Sequence, residues 1–409
     1  MNKFLKEFKD RGFFYQCTDE NNLSQLMDKK KIKAYIGFDC TAESLHVGSL
    51  LQIMCLRLLQ NYGHQPIVLL GDGTTRIGDP SGKDKTRKIL SDKEIKRNSK
   101  NIEKILKKFL DTKDKKIKPI FVNNYSWLKN LNYISFLRDI GKHFTINKML
   151  TFDSVKTRLD REQSLSYMEF NYMILQSYDF LELNKKKDCN LQIGGSDQWG
   201  NIINGVDLIK RHSNKNAYGL TTPLITLASG AKMGKTENGA IWLDKKNLSA
   251  YDYWQFWRNT DDRDVIKFLK FFTDLKIDEI ANLENKNIND LKILLANEAT
   301  KMLHGKKEAQ NAANAAKEAF SENSTGSNLP SIKIEEDVIK KNLNIIDLVI
   351  LSKLENSKSE IRRLIRGNAI KINNEIIKDE KFSINSDMFI DNYIKLSIGK
   401  KRHLKIELV

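Results

Sequence analysis

From Ala34 onward, short apolar runs alternate with longer stretches whose apolar residues recur every three or four positions. That alternation constrains the chain more than any other feature, because a parallel sheet covered by crossover helices is written this way in sequence. Residues 34–39 read as a first strand, 45–59 as a helix and 66–70 as the next strand, which makes a βαβ unit. Residues 91–110 read as a helix with Ser91 and Glu94 at capping-box spacing, followed by a strand at 117–122. Helices are expected again at 133–142, 166–183 and 197–211, with a strand at 190–193. Residues 1–245 are therefore expected to be α/β, a Rossmann-like doubly wound parallel sheet.

After about Leu243 the strand signals stop, and 246–322 is expected to be an α-helical domain ending in the Ala-rich stretch 309–319. Residues 321–330 (SENSTGSNLP) are small, polar and carry Pro and Gly, so a linker is placed at 323–342. Residues 343–409 are expected to form a small α+β domain, with short helices through Arg366, a turn at Gly367-Asn368 and short strands to the end.

Composition excludes several classes. With 409 residues, 40% of them hydrophobic, the chain can bury a core and is too long for one typical domain. The longest apolar runs, such as 67–70, fall far short of the roughly 20 residues a membrane helix needs, and the mean hydropathy is −0.50. Four cysteines (Cys17, Cys40, Cys55, Cys189) are too scattered for a zinc knuckle and too few to staple a secreted fold, so reduced thiols and a cytoplasmic location are expected. Residues 1–14 mix Glu7 and Asp10 with lysines and read as an amphipathic helix, unlike a signal or transit peptide. Lys plus Arg exceed Asp plus Glu by 17, which suits a polyanionic partner, although richness in Lys, Asn and Ile is also a mark of genome composition.

Three stretches carry chemistry. In Tyr35-Ile-Gly-Phe-Asp-Cys-Thr-Ala-Glu-Ser-Leu-His-Val-Gly-Ser49 a strand ends, turns and enters a helix with His46 and Gly48 at its start. Helix N-terminal amides favour phosphate there, and His46 can donate to a phosphate oxygen; taken alone, such a residue is more often a capping or packed histidine. The stretch 71–83 (GDGTTRIGDPSGK) leaves the second strand as a glycine-rich loop at the carboxyl edge of the sheet. There Asp79 can meet a substrate ammonium while Lys83 and Arg87 reach toward phosphates; the plainer alternative is a solvent loop of turn residues. In Ala231-Lys-Met-Gly-Lys-Thr236 two lysines flank a glycine in a loop able to clamp a polyphosphate, or simply to be exposed and basic.

In that order, an H-x-G turn followed by a K-M-x-K-[ST] loop near the end of one α/β domain resembles the class I aminoacyl-tRNA synthetases. The strings YIGFDCTAESLHVGS, GDPSGK, Glu169-Phe-Asn-Tyr-Met-Ile-Leu-Gln-Ser-Tyr-Asp179 and Gln192-Ile-Gly-Gly-Ser-Asp-Gln-Trp-Gly-Asn201 are similar to bacterial tyrosyl-tRNA synthetases in particular, over the whole chain. The resemblance implies that Tyr35 and Asp179 contact the phenolic hydroxyl of tyrosine and that Asp79, Tyr172 and Gln176 hold its α-ammonium. It implies an ATP site at Gly37, Asp39, Thr41, His46, Gly48 and Ser49, with Gly195, Asp197 and Gln198 near the ribose and the substrate carboxylate. Lys83, Arg87, Lys232, Lys235 and Thr236 would embrace pyrophosphate. Leaving a buried carboxylate and phenol unpaired is costly, so phenylalanine would be rejected.

The implied reaction is attack of the tyrosine carboxylate on the α-phosphorus of ATP, giving tyrosyl-adenylate, then transfer to the terminal ribose of tRNA, with magnesium travelling with ATP. No clustered metal-ligand motif is present in the sequence. Two positions depart from the commonest family pattern: Ser49 stands for the second histidine of H-x-G-H, and Ile36 follows Tyr35 where cysteine is frequent. Residues 356–373 resemble a small ribosomal-protein-type RNA-binding module, in which Lys358, Arg362, Arg363 and Arg366 would contact tRNA phosphates. Lys210 and Arg211 are weaker candidates for the acceptor stem. The resemblance also implies a homodimer, and it places 246–322 on the anticodon side. A related nucleotidyltransferase would share the H-x-G turn but not the Asp179 motif or the RNA module; an RNA-binding protein with decayed catalytic loops would not retain His46, Asp79, Lys232 and Lys235.

Overall fold

Strands β1 (Gln16–Cys17), β2 (Lys33–Phe38), β3 (Gln65–Leu70), β4 (Ile120–Asn123), β5 (Cys189–Gly195) and β6 (Tyr218–Thr222) form one sheet in the order β1-β6-β5-β2-β3-β4. All neighbours run parallel except β1, which pairs antiparallel with β6. The computed structural model describes residues 1–409 apart from 81–89, 231–232, 237–238, 321–328, 330, 341, 391 and 400–401, with backbone alone at 153–154, 235–236, 318–320 and 340. Contacts divide the chain into two units, Met1–Asn247 with Asp261–Ile288, and Leu248–Thr260 with Asn289–Val409.

In the first unit β3 and most of β2 are buried, as a sheet covered on both faces requires, and this is why they read as unbroken apolar runs. The crossover between them is the helix Leu50–Asn61, preceded by a 3₁₀ turn at Val47–Ser49. The helix starts later than its apolar spacing suggests because residues 45–46 are held extended, with His46 in a bridge to Trp242. Ile53, Leu56 and Leu59 on this helix are fully buried, each contributing about 1.5–3 kcal/mol relative to exposure. Asp92–Phe109 carries the expected Ser91/Glu94 capping box, and Tyr167–Lys187 carries another at Ser166/Glu169. Among the elements with no counterpart in the sequence reading, two lie beside the sheet's carboxyl edge or within its core. Asp72–Thr75 is a helical turn where a loop was expected, and β6 is a fully buried strand whose Thr221 and Thr222 mask its apolar character. The helix expected within 1–14 is Lys3–Asp10, buried through Phe4, Leu5 and Phe8.

In the second unit Ala250–Arg258 packs against Lys306–Phe320, and Trp254 Nε1 donates to Asn297 Oδ1 at 2.8 Å. Residues 261–288, expected to belong with this helical part, lie in the first unit, where Arg11 donates to the carbonyls of Lys270, Thr273 and Leu275. Most of the 321–330 linker lies outside the described residues. Within the expected 323–342 linker, however, β9 (Ser331–Ile334) is paired. With β10 (Ile370–Ile372), β11 (Glu375–Ile376), β12 (Tyr393–Ile398) and β13 (Arg402–Leu408) it makes a second sheet in the order β11-β10-β12-β13-β9. Its core includes Ile345, Leu348, Ile361, Ile365, Ile394 and Ile406.

Candidate active site

The chain leaves β2 for β3 on one side, while β5, the other neighbour of β2, leads to β6 on the opposite side. Crossovers departing in opposite directions leave a crevice at the carboxyl ends of β2 and β5, the switch point where doubly wound sheets bind ligands. A cavity of about 580 Å³ lies there. Its wall includes Tyr35, Gly37 and Asp39 from β2 and its end, and Thr41, His46, Gly48 and Ser49 from the turn beyond. Tyr172, Gln176 and Asp179 enter from the helix Tyr167–Lys187, Gly195, Asp197 and Gln198 from the end of β5, and Asp79 from the segment after β3.

Asp179 is 1% exposed, and its carboxylate accepts from Trp127 Nε1 at 2.7 Å and from Asn124 Nδ2 at 2.9 Å. Burial pushes its carboxyl up to about 7; the two donors oppose that rise, and the nearby Asp39 charge adds to it. The Tyr35 hydroxyl is buried without a hydrogen-bond partner, and burial together with the Asp179 charge holds its pKa well above the usual range. The remaining amide proton of Asn124 goes to Thr74 Oγ1 at 3.0 Å, Thr74 Oγ1 donates to Asp39 Oδ1 at 2.7 Å, and Tyr172 Oη donates to Asp39 Oδ2 at 3.0 Å. A hydrogen-bonded line therefore joins Asp179 to the turn after β2. Asp79 Oδ2 accepts from Gln198 Nε2 at 3.0 Å.

At the turn, His46 Nδ1 accepts from the Gly48 amide at 3.0 Å, which places the ring proton on Nε2. A Cβ on Gly48 would lie 2.6 Å from the His46 ring and 3.1 Å from the Met233 carbonyl oxygen. Gly234, with φ +95°, lies so close that its own Cβ would be 2.9 Å from His46 Nδ1. The backbone of the lysine-bearing stretch thus abuts the His46 turn. Lys235 and Thr236 form β7 (Lys235–Thr236), paired antiparallel with β8 (Gly239–Ala240). Lys83, Arg87 and Lys232 lie outside the described residues. Ser49 precedes the helix Leu50–Asn61 without a side-chain capping bond, and Ile36 is buried in the cavity wall.

Sequence reasoning missed Asn124, Trp127 and Thr74, and gave no role to Asn201, which it quoted only as the end of a motif. Asn124 and Trp127 follow the carboxyl end of β4, the same edge that carries the other ligand-facing groups, so the strand reading was the available signal. Among the described residues no cluster of His, Cys, Asp and Glu could hold a metal ion.

In the second unit, the helix Lys358–Arg366 carries the four cations singled out in the sequence. Arg362 and Arg366 both meet Glu380, at 3.5 and 2.8 Å, and Lys358 meets Asp347 at 3.1 Å. Arg363 turns instead to Glu360 on its own helix, at 3.5 Å. Such exposed pairs are worth at most about 1 kcal/mol, so an incoming phosphate can displace them.

On one doubly wound sheet the cavity is lined by the buried Asp179 carboxylate and Tyr35 hydroxyl and by the turn of His46 and Gly48. The fold is that of a class I aminoacyl-tRNA synthetase, as the family match shows. Residues 27–321 match the family model "tRNA synthetases class I (W and Y)", and residues 322–406 match "Tyrosine--tRNA ligase SYY-like C-terminal domain". The tyrosine--tRNA ligase of Pelagibacter ubique is 76% identical over 409 residues, covering 100% of both chains. That of a Wolbachia from Brugia malayi is 54% identical over 99% of this chain and 98% of its own. A C-terminally truncated Aspergillus nidulans mitochondrial tyrosyl-tRNA synthetase superposes with a TM-score of 0.70 at 30% identity, over 78% of this chain and 94% of that one. The chain belongs to the bacterial-type tyrosyl-tRNA synthetases.

Proposed function

We propose that the cavity of this tyrosine-tRNA ligase binds L-tyrosine at the Asp179 end and ATP at the His46 end. The observation that carries the reading is the buried Asp179 carboxylate, held by Asn124 and Trp127 in the same wall as the unpartnered Tyr35 hydroxyl. A phenol supplies both partners at once, donating to Asp179 and accepting from Tyr35. Asp79, Tyr172 and Gln176 take the α-ammonium, and Gln198 lies toward the carboxylate.

An oxygen of the tyrosine carboxylate then attacks the α-phosphorus, the bond to the β-phosphate oxygen breaks, and pyrophosphate leaves with the electron pair. No protein nucleophile is needed, so the protein aligns the reactants and stabilises developing charge. Gly37, Asp39, Thr41, Gly48, Ser49, Gly195 and Asp197 surround the nucleotide. The Nε2–H of His46 donates to a phosphate oxygen, and Lys83, Arg87, Lys232, Lys235 and Thr236 neutralise the leaving pyrophosphate. Magnesium enters bound to ATP as part of the substrate. The tyrosyl group passes to the terminal ribose of tRNA, which is gripped by Lys358, Arg362, Arg363 and Arg366.

The functional parts are 1–245 for catalysis, with 261–288 in the same unit, the rest of 246–322 for the anticodon side, and 343–409 together with β9 for RNA. We also propose a homodimer through the 133–167 segment. Tyr133, Ile134, Leu137, Ile146, Leu150 and Tyr167 are exposed there, with the Tyr133 and Tyr167 hydroxyls 3.0 Å apart, and apolar surface of this kind marks an interface. No described helix is long and apolar enough to cross a membrane; a cytoplasmic site of action fits the substrates.

ATP–pyrophosphate exchange with tyrosine, phenylalanine and tryptophan in parallel tests the core of the proposal. Exchange with tyrosine alone is expected. Exchange with another amino acid would overturn the pocket, and none at all in a protein that still binds tRNA would make it an RNA-binding protein.

A further inference from the structure

The side chain of Asn201, the third residue of the helix Trp199–Ser213, is 5% exposed and bonds two other amides. Its Nδ2 donates to Gln176 Oε1 at 3.0 Å and to Gln198 Oε1 at 3.1 Å. A primary amide nitrogen has two protons, and both are used. The orientation of all three amides follows from one charge. A carboxylate only accepts, so Asp79 requires the NH₂ of Gln198, and Gln198 must then turn its carbonyl to Asn201. Asn201 therefore presents its nitrogen, and its second proton obliges Gln176 to present a carbonyl as well.

We propose that Asn201 is a positioning residue that sets which way Gln176 and Gln198 face, so that the cavity meets the α-ammonium of tyrosine with acceptors already aimed. The inference rests on the reading of Asp79, Gln176 and Gln198 as the amino-acid end of the site. With both its protons committed, Asn201 leaves the second lone pair of Gln176 Oε1 for the ammonium, and the Gln198 amide holds Asp79 in place to receive the same charge. Rotation of Gln176 by half a turn would put an NH₂ group against the ammonium, which repels it, and rotation of Gln198 would set a carbonyl against the Asp79 carboxylate and release it. Locking these rotors before the substrate arrives also spares the ordering cost at binding.

The test measures tyrosine and ATP KM by pyrophosphate exchange, and inhibition by 3-(4-hydroxyphenyl)propionate, which is tyrosine without its amino group. Asn201→Ala is expected to raise the tyrosine KM roughly tenfold, the scale of two lost hydrogen bonds. The ATP KM and the inhibition constant of the amino-less analogue should stay within about twofold, because neither depends on the ammonium contacts. Asn201→Ser, which keeps one donor, is expected to fall between, and serves if the alanine variant melts early. Equal weakening of tyrosine and analogue would overturn the proposal in favour of general packing. Gln176→Ala separates the two levels of inference: a tyrosine defect there with none in Asn201→Ala overturns the positioning role alone, whereas no defect in either overturns the ammonium site and the positioning role together.

Discussion

Trp127 donates its indole N–H to Asp179 at 2.7 Å, so a residue on the short helix after β4 holds the carboxylate that the long Tyr167–Lys187 helix delivers to the cavity. Asp179→Ala is expected to lower kcat/KM for tyrosine by roughly 10- to 100-fold, the worth of a hydrogen bond to a charged group. Phenylalanine, which makes no such bond, should be little affected, so discrimination collapses while the fold survives. Trp127→Phe should produce a smaller loss of the same kind, about tenfold or less. Pyrophosphate exchange with both amino acids checks this; unchanged discrimination in Asp179→Ala would remove Asp179 from the site.

Because the Asp179 carboxyl is pushed up to about 7, it is largely protonated at pH 6 and ionised at pH 8. A phenol donates best to the ionised form, so tyrosine affinity should rise between those values, and Asp179→Asn should flatten the profile. Stability moves the other way. Between the unperturbed 3.8 and about 7, the folded unliganded chain keeps a proton that the unfolded chain has released, so this group makes stability fall as pH rises through that interval. Urea melts of the wild type and Asp179→Asn at pH 5 and pH 8 read the sign directly.

Gly48→Ala separates the two ends of the cavity. The added carbon would sit 2.6 Å from the His46 ring, forcing it off the position set by its bond to the Gly48 amide. Adenylate formation should slow at least tenfold, on the scale of one misplaced general donor, while tyrosine binding by equilibrium dialysis stays as in wild type.

The core of the second sheet is built within the C-terminal segment itself, from residues such as Ile345, Ile361 and Ile406. Removing the residues after Pro330 should therefore spare pyrophosphate exchange and cripple tRNA charging; full charging by the truncated chain would refute the RNA role. In the intact chain, replacing Arg362 and Arg366 with alanine should flatten the dependence of log Kd on log salt by roughly one to two units for tRNA.

Ile134 lies exposed in the apolar 133–167 segment. Ile134→Asp would bury a carboxylate in the proposed dimer contact, so light scattering should find monomers at concentrations where the wild type is dimeric. A wild type that is itself monomeric would remove the contact.

Much of the first unit was legible because a sheet buried on both faces leaves β2 and β3 as apolar runs and its capped helices leave Ser-x-x-Glu. β1 was not, since two residues carry no period, and neither was β6, whose buried threonines look like a polar turn. Within the site, residues in contiguous motifs such as His46, Asp79 and Gln198 were readable from spacing and resemblance. Asn124 and Trp127 were not, because they reach Asp179 across more than fifty residues of chain and belong to no local pattern.

The sequence by itself determined the alternation of elements, hence a doubly wound sheet, and placed the chemistry-bearing residues on strand ends and helix starts, because period and capping are local properties. Only the tertiary structure decided what those residues do to one another. Burial raises Asp179 to about 7, Asp79 orients a chain of three amides, and segment 261–288 joins the first unit. Each of these depends on which distant groups share a desolvated space, where an unpaired polar atom is expensive and a single charge dictates the direction of every hydrogen bond linked to it.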